Sequence, residues 1–336
     1  MRVFRGFNHP AVAEACALTI GNFDGVHRGH QAMLALLKSE AAHRGLPACV
    51  LTFEPHPRDY FAMRAGKIDS APSRIATLRD KLSELARCGV DQVIVLPFNA
   101  TLAALSAEAF ITDVLLAGLN ARYVLVGDDF CFGAKRRGDY ALLDRSGTEH
   151  GFDVARMNSY EVHGARVSSS AVRDALVRGD MTGAAALLGR PYAVSGHVIH
   201  GAKLGRELGF RTLNLRFGRH PKPAAMGIFA ARTFGLTGPD DTVGIDGVAS
   251  LGMRPTVDDS GRVLLEVNCF DWPLQLGPEG GYGKLLRVEL LHKIRDEARY
   301  EGLEALTAAI QQDAVDAHAF FAAHAAQRRQ TTRDRI

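Results

Sequence analysis

A chain of 336 residues is longer than one hydrophobic core usually sustains, so two domains are expected, and 47% apolar with 23% charged residues excludes a disordered or collagen-like chain. A formal net charge of +3 gives no reason to expect a nucleic-acid partner, and part of that excess lies in the basic tail 326–336. The cysteines Cys16, Cys49, Cys88, Cys131 and Cys269 are odd in number and never spaced C-x-x-C, against a disulfide framework or structural zinc. With neither a leader-like start nor a membrane-length apolar run, the protein is expected to be cytoplasmic and without a membrane partner.

The apolar run Ala15 to Ile20 reads as a buried strand, and it opens into GNFDGVHRGH, Gly21 to His30, with a helix-like run leaving from about Gly29. Gly21, Gly25 and Gly29 permit close backbone approach and positive φ. Phe23 and Asp24 stand in the same turn, and the free N–H groups of a helix N-terminus complete a candidate phosphate cradle. If the first helical turn begins there, His27 and His30 share one face, where both rings can meet charge on a phosphoryl oxygen. The alternative is an ordinary strand-loop-helix turn with surface histidines; the G-x-G-x-x-G dinucleotide fingerprint is absent.

The following helix pattern stops at Gly45, and Ala48 to Phe53 reads as a strand covered on both faces. It opens into EPHPRDYF, where Pro55 and Pro57 are expected to hold an extended loop and His56 and Arg58 face either phosphate or a rigid surface turn. Ala71 to Gly89 repeats a helix pattern through Ile75, Leu78, Leu82 and Leu85, and Val90 to Phe98 is strand-like. Ser106 is a candidate cap for AEAFITDVLLAGL, ahead of a strand at Arg122 to Gly127. That strand delivers GDDFCFGAKRRG, in which Asp128 and Asp129 can orient a ligand and Lys135 to Arg137 either neutralise phosphate or form a wet surface. After a short strand at Phe152 to Ala155, RVSSSAVRDALVRGD places hydroxyls before a helix; one serine caps it, and Ser169, Ser170 and Arg173 are a candidate second phosphate contact. This alternation predicts a parallel sheet with helices on both faces.

GNFDGVHRGH, TFEPHP, GDDFCFG and SSSAVR, in this order, resemble the adenylyltransferase module of prokaryotic bifunctional riboflavin kinase/FAD synthetases, members of the HxGH nucleotidylyltransferase superfamily. The resemblance implies transfer of AMP from ATP to the phosphate of FMN, giving FAD and pyrophosphate, with Mg²⁺ needed for the leaving group. It places His27 and His30 over the triphosphate and has Ser169, Ser170 and Arg173 close a second phosphate motif. Two departures are the Asp128-Asp129 pair, which leaves open which side chain faces ligand, and Ser170 where threonine is common.

Near 186–190 the period changes. Tyr192 to Ile199, Ile228 to Phe234, Val243 to Leu251, Val263 to Phe270 and Leu285 to Leu291 are strand-like runs between Gly, Pro and Asp turns, which a closed antiparallel barrel buries without leaving edges. Between the first two, His200 to Phe217 carries Gly201, Gly205 and Gly209, able to wrap a phosphate, with Lys203 and Arg206 to offset its charge; a plain barrel loop is the alternative. Thr212 and Asn214, at i,i+2, present two oxygens on one side of an extended chain. Glu266, inside an apolar strand, either points outward by alternation or serves as a base to a hydroxyl. A final helix is predicted through Leu303, Leu306, Ile310 and Val315.

HGAKLGRELGFRTLN, MGIFAARTF, ASLGMRPTV, LLEVNCFDW and IRDEARYEGLEALTAAIQQD resemble the riboflavin kinase module of the same family. That resemblance assigns Glu266 as base, Thr212 and Asn214 beside Mg²⁺ and ATP phosphate, and Gly201 to Gly209 as the phosphate loop. Arg211 stands where the family's P-T-x-N box begins with proline.

The expectation is an α/β Rossmann-like HxGH nucleotidylyltransferase domain over 1–186, a small antiparallel β-barrel riboflavin kinase domain with a C-terminal helix over 187–325, and the tail 326–336. Its reactions are phosphorylation of riboflavin to FMN and adenylation of FMN to FAD. The alternatives are a mononucleotide adenylyltransferase for another acceptor with a flavin-binding barrel, or a non-catalytic flavin-binding regulator. Oligomeric state is left open, a homo-oligomer being compatible with the sequence.

Overall fold

A computed structural model describes residues 1–162, 164–200, 210–216, 223–238, 241–253, 263–277 and 279–333. The chain divides into two compact units, Met1–Pro72 with Leu78–Ser169, and Ser73–Thr77 with Ser170–Ile336.

The first unit carries strands β1 (Arg2–Arg5), β2 (Cys16–Ile20), β3 (Ala48–Glu54), β4 (Gln92–Pro97), β5 (Ala121–Gly127) and β6 (Asp153–Met157) in one sheet of order β1-β4-β3-β2-β5-β6. All its pairings are parallel. The central strands are apolar on both faces, as helix-covered parallel strands must be: β2 is buried at every residue. The helices are α1 (Arg28–His43), α2 (Pro57–Arg64), α3 (Leu78–Arg87), α4 (Ala100–Ala104), α5 (Ala107–Ala109) and α6 (Tyr140–His150), with a small hairpin of β7 (Glu161–Val162) and β8 (Ala165–Arg166). From β2 the chain proceeds outward to β3 and β4 on one side, then returns to β5 and β6 on the other. The carboxyl ends of β2 and β5 therefore flank the topological switch point, where open α/β sheets bind ligands.

Three local readings are corrected. Pro57 begins α2, where its missing N–H is not needed, and His56 caps that helix, so the segment is not an extended loop. The helix expected from Ala71 begins only at Leu78; Arg74 instead pairs with Pro223, and Ile75 is buried in the core of the second unit. Ser106 does cap α5, but the run beyond it is a π-helix, Phe110–Gly118. The wider turn lets Phe110, Ile111, Val114 and Leu115 all reach the core.

The second unit holds α7 (Ser169–Val177), α8 (Met181–Leu188) and six strands: β9 (Tyr192–Ile199), β10 (Thr212–Arg216), β11 (Gly227–Phe234), β12 (Ile245–Met253), β13 (Val263–Cys269) and β14 (Leu285–Arg295). They close an antiparallel barrel of order β10-β13-β12-β11-β14-β9. Five of these match the strand-like runs of the sequence; β10 lies inside the stretch read as a loop. Its residues Leu213 and Leu215 join Val194, Val198, Phe229, Ala249, Leu265 and Val267 in the barrel core. The helix α9 (Leu303–Arg333) lies across β11, β12 and β14, fixed by a two-pronged Arg295–Asp313 ion pair at 2.7 and 2.6 Å and by Phe270 stacked on His318 at 3.9 Å. Packing groups α7 and α8 with the barrel and divides the units between Ser169 and Ser170, ahead of the boundary expected at 186–187.

Candidate functional sites

In the first unit the site begins where β2 ends. Phe23, Gly25 and Val26 adopt φ of 48°, 81° and 41°, and only one of these is glycine. The left-handed conformation is costly for a β-branched valine; burial of Phe23 and Val26 and a 2.9 Å bond from Gln31 Nε2 to the Val26 carbonyl hold it. The loop so formed buries Asp24 and delivers His27 as the N-cap of α1.

The His30 backbone N–H donates to His27 Nδ1 at 3.3 Å. A neutral His27 therefore carries its proton on Nε2, which makes that atom a donor. The His30 ring stacks on His27 at 3.7 Å with 16° between planes and packs against Phe23 at 4.9 Å. Burial, then the neighbouring His27, then Lys81, pushes the His30 imidazole well below its ordinary range, so the ring is neutral. Gly29 makes room for this stack: a Cβ there would lie 3.3 Å from the His27 ring and 3.5 Å from the Val167 carbonyl. Gly21 similarly clears the Phe23 ring, 3.1 Å from a would-be Cβ.

The other predicted residues are placed as follows. Ser169 Oγ donates to the Asp24 carbonyl at 3.0 Å, bringing the serine motif to the histidine turn. Ser170 and Arg173 fall in the second unit, where Arg173 Nε donates to the Ser73 carbonyl at 2.7 Å. Buried His56 accepts from the Arg58 N–H at 3.1 Å through Nδ1. Asp128 is held by Ser159 and by Arg166 at 3.2 Å, and the Ser159 hydrogen bond lowers its carboxyl below the usual range. The Asp129 carboxylate is 81% exposed, with Arg166 at 3.4 Å.

In the second unit the site lies on the outer face of the barrel. Asn214 on β10 pairs directly with Glu266 on β13, and Glu266 with Ser250 on β12. Cross-strand partners point the same way, so these three side chains form a row, while their sequence neighbours Leu213, Leu265, Ala249 and Leu251 face the core. Thr212 leads the adjacent row, opposite Asn268. Asn214 is 7% exposed, and its Oδ1 is buried without a hydrogen-bond partner among the described residues. Glu297 approaches from beyond β14 and bonds Ser250. Burial raises its carboxyl, helped by the charge of Glu266 and opposed by the Ser250 bond. A Cβ at Gly252 would overlap the Glu297 carboxylate. Arg211, next to Thr212, lies over the Trp272 ring at 4.0 Å and donates to the Gly277 carbonyl at 3.3 Å. Gly201, Lys203, Gly205, Arg206 and Gly209 lie outside the described residues.

A profile of the FAD synthetase family matches residues 9–171, and one of the riboflavin kinase family matches residues 188–321. The bifunctional riboflavin kinase/FMN adenylyltransferase of Escherichia coli (strain K12) is 43% identical over 323 residues, covering 96% of this chain and 98% of that protein. This chain belongs to the bifunctional riboflavin kinase/FMN adenylyltransferase family.

The Haemophilus influenzae family member is 41% identical, covering 96% of this chain and 99% of its own. A crystal structure described as a macrolide-efflux protein from Streptococcus pneumoniae superposes with a TM-score of 0.71 at 26% identity, over 93% of this chain and 97% of that one. Likeness over both chains' length extends the two-unit architecture of the family to that protein. Two further residues adjoin the family motifs without having been singled out in the sequence. Lys81 was visible as a cation on the apolar stripe of Leu78, Leu82 and Leu85; Glu297 had no periodic signal, being one charge among several in IRDEARYEG.

Proposed function

We propose that the barrel phosphorylates riboflavin with ATP and that the α/β unit transfers AMP from a second ATP to FMN. The observation that carries this reading is that each unit holds its own constellation: the His27–His30 ring stack at the sheet's switch point, and Asn214 directly across the strand from Glu266.

In the barrel, Glu266 accepts the proton of the ribityl terminal hydroxyl as that oxygen bonds the γ-phosphorus of ATP. The bond from that phosphorus to the β–γ bridging oxygen breaks, and ADP leaves. Position is the first requirement, and the direct pairing with Asn214 supplies it. The buried Asn214 Oδ1 and the Thr212 hydroxyl are hard oxygen donors suited to Mg²⁺, which takes few protein ligands and completes its shell with water and phosphate. Thr212 and Asn214 would hold Mg²⁺ there, and it would supply positive charge to the transferring phosphates. The family resemblance assigns Gly201, Lys203, Gly205, Arg206 and Gly209 to the ATP phosphates.

In the first unit the FMN phosphate is already an anion and attacks the α-phosphorus without a protein nucleophile, releasing pyrophosphate. The chain's contribution is alignment and charge stabilisation. His27 and His30 offer ring N–H groups to phosphoryl oxygens. Gly21, Phe23, Asp24, Gly25 and Gly29 shape the turn; His56, Asp129 and Ser169 make further nucleotide and flavin contacts, and the resemblance assigns Ser170 and Arg173 to phosphate as well.

The test is to incubate the chain with riboflavin, ATP and Mg²⁺ and follow FMN and FAD by chromatography. His30→Ala lowers FAD formation at least about 100-fold and leaves FMN formation intact, and Glu266→Gln does the reverse. Equal losses in both activities for either variant refute the assignment of separate sites.

A further inference from the structure

An arginine stands where β10 begins, on the side of the strand that faces the barrel core. Alternation turns Leu213 and Leu215 inward, and Arg211, two residues before Leu213 and directly ahead of Thr212, falls on their side. It is half-buried there. A hydrocarbon side chain would close that end of the core without desolvating a charge, so the guanidinium calls for a structural reason.

That reason is Trp272. Its indole packs against the barrel core, and the Arg211 guanidinium lies over the ring at 4.0 Å. One carbonyl, that of Gly277, accepts from both side chains, from Arg211 Nη2 at 3.3 Å and from Trp272 Nε1 at 3.1 Å. The indole also reaches Gly281, where a Cβ would stand 3.3 Å from the ring and 2.8 Å from Leu213. On the backbone side, the Arg211 carbonyl accepts from Asn268 Nδ2 at 2.7 Å, and Asn268 is the cross-strand partner of Thr212. Thr212 therefore follows a residue fixed at its carbonyl and at its side chain, and precedes one held in the core. At the first residue of a strand, where backbone otherwise frays, these contacts set where the Thr212 hydroxyl points.

We propose that Arg211 is a positioning residue of the kinase site: clamped on Trp272, it holds the start of β10 so that the Thr212 hydroxyl and Asn214 Oδ1 keep the spacing needed to bind Mg²⁺ with the ATP phosphates. It acts through the indole and the Gly277 carbonyl, not by touching ATP. This rests on the riboflavin kinase reading of the barrel.

Trp272 is the one tryptophan of the sequence, so intrinsic fluorescence of the full-length chain reports the clamp directly. Arg211→Met keeps the aliphatic stem and removes the cation and its donors. It is expected to expose the indole to acrylamide quenching and to lower kcat/KM for ATP in riboflavin phosphorylation about tenfold, the scale of one cation–π contact with its hydrogen bond. The Mg²⁺ concentration for half-maximal rate rises, while FAD formation from supplied FMN stays within about twofold of the parent. Arg211→Lys, which keeps a cation over the ring, recovers part of the loss. Trp272→Leu gives a loss like that of Arg211→Met, and the double variant is no worse than either single one, since both remove the same contact. Because such coupling is reciprocal, ADP with Mg²⁺ lowers acrylamide quenching in the parent and not in Arg211→Met.

Riboflavin phosphorylation by Arg211→Met at the parent's kcat/KM overturns the proposal. So do additive losses in the double variant, the result for an arginine that contacts phosphate itself, and a loss of rate with the Mg²⁺ requirement unmoved, which a purely structural arginine would give. Should Arg211→Met not fold, Arg211→Gln carries the test: a loss of at least about threefold in kcat/KM with intact FAD formation supports the proposal, and the parent's value overturns it. Absence of riboflavin phosphorylation by the parent chain would instead refute the function assigned to the barrel.

Discussion

Neutrality of His30 has a cost that stability measurements register. In the unfolded chain an imidazole takes up its proton near pH 6.5, whereas in the folded chain burial, His27 and Lys81 hold His30 unprotonated well below that. Below pH 6.5 the unfolded state thus binds more protons than the native state, and acidification favours unfolding; the contribution is present above the unfolded value and lost as pH falls. Between pH 7.5 and 5.5 the unfolded ring passes from about one-tenth to about nine-tenths protonated, which integrates to about 1.4 kcal/mol when the native ring stays neutral. For a unit of this size that corresponds to a melting-temperature difference of about 3–5 °C. The assay is thermal unfolding of the parent and of His30→Asn at both pH values, with riboflavin phosphorylation confirming that the variant is folded. The parent should lose about 3–5 °C more than the variant on acidification, the other histidines cancelling in the comparison. Equal losses would show that His30 is not held neutral, and would remove the basis for treating the pair as oriented donors.

Gly29→Ala should leave stability within about 1 kcal/mol, since alanine is the better helix former, yet lower FAD formation about tenfold or more by pressing a Cβ against the His27 ring at 3.3 Å; unchanged FAD synthesis in a steady-state assay would refute the account of that glycine. Asp313→Ala strips the partner from Arg295, whose side chain is 29% exposed, and should cost about 2–3 kcal/mol by urea denaturation with weaker docking of α9; a loss under about 0.5 kcal/mol would mean the ion pair does not anchor the helix.

The barrel was legible because its turns are written in Gly, Pro and Asp, and Tyr192–Ile199 matched residue for residue. The strand β10 was hidden by the very residues that make it functional: Thr212, Asn214 and the charged stretch before them suggest a loop, while only Leu213 and Leu215 report the inward face. Ser73–Thr77 misled in the opposite sense, because Ile75 fits the periodicity of α3 while its burial belongs to the other unit's core. No local pattern reveals which unit a residue is buried in. The pairing of His27 with His30 followed from spacing alone, since a helix starting at Arg28 brings positions three apart to one face. Which nitrogen accepts is set by the cap bond from the His30 N–H, and the second ring stays neutral chiefly through burial, which no local pattern announces.

The contrast between the two constellations follows from their acceptors. A riboflavin hydroxyl is neutral and must lose a proton as it attacks, so the kinase reaction needs a carboxylate within reach of that oxygen, the role proposed for Glu266 across the strand from Asn214. An FMN phosphate arrives ionised and needs no base; a carboxylate at the attacking oxygen would repel it. What the second reaction needs is positive charge and hydrogen-bond donors where negative charge builds on the leaving pyrophosphate. The stacked His27 and His30 rings, the second held neutral by burial, are the donors the first unit offers to that need. One chain can run both chemistries only if these opposite electrostatic demands are met on separate surfaces, which is the physical reason for housing them in two compact units.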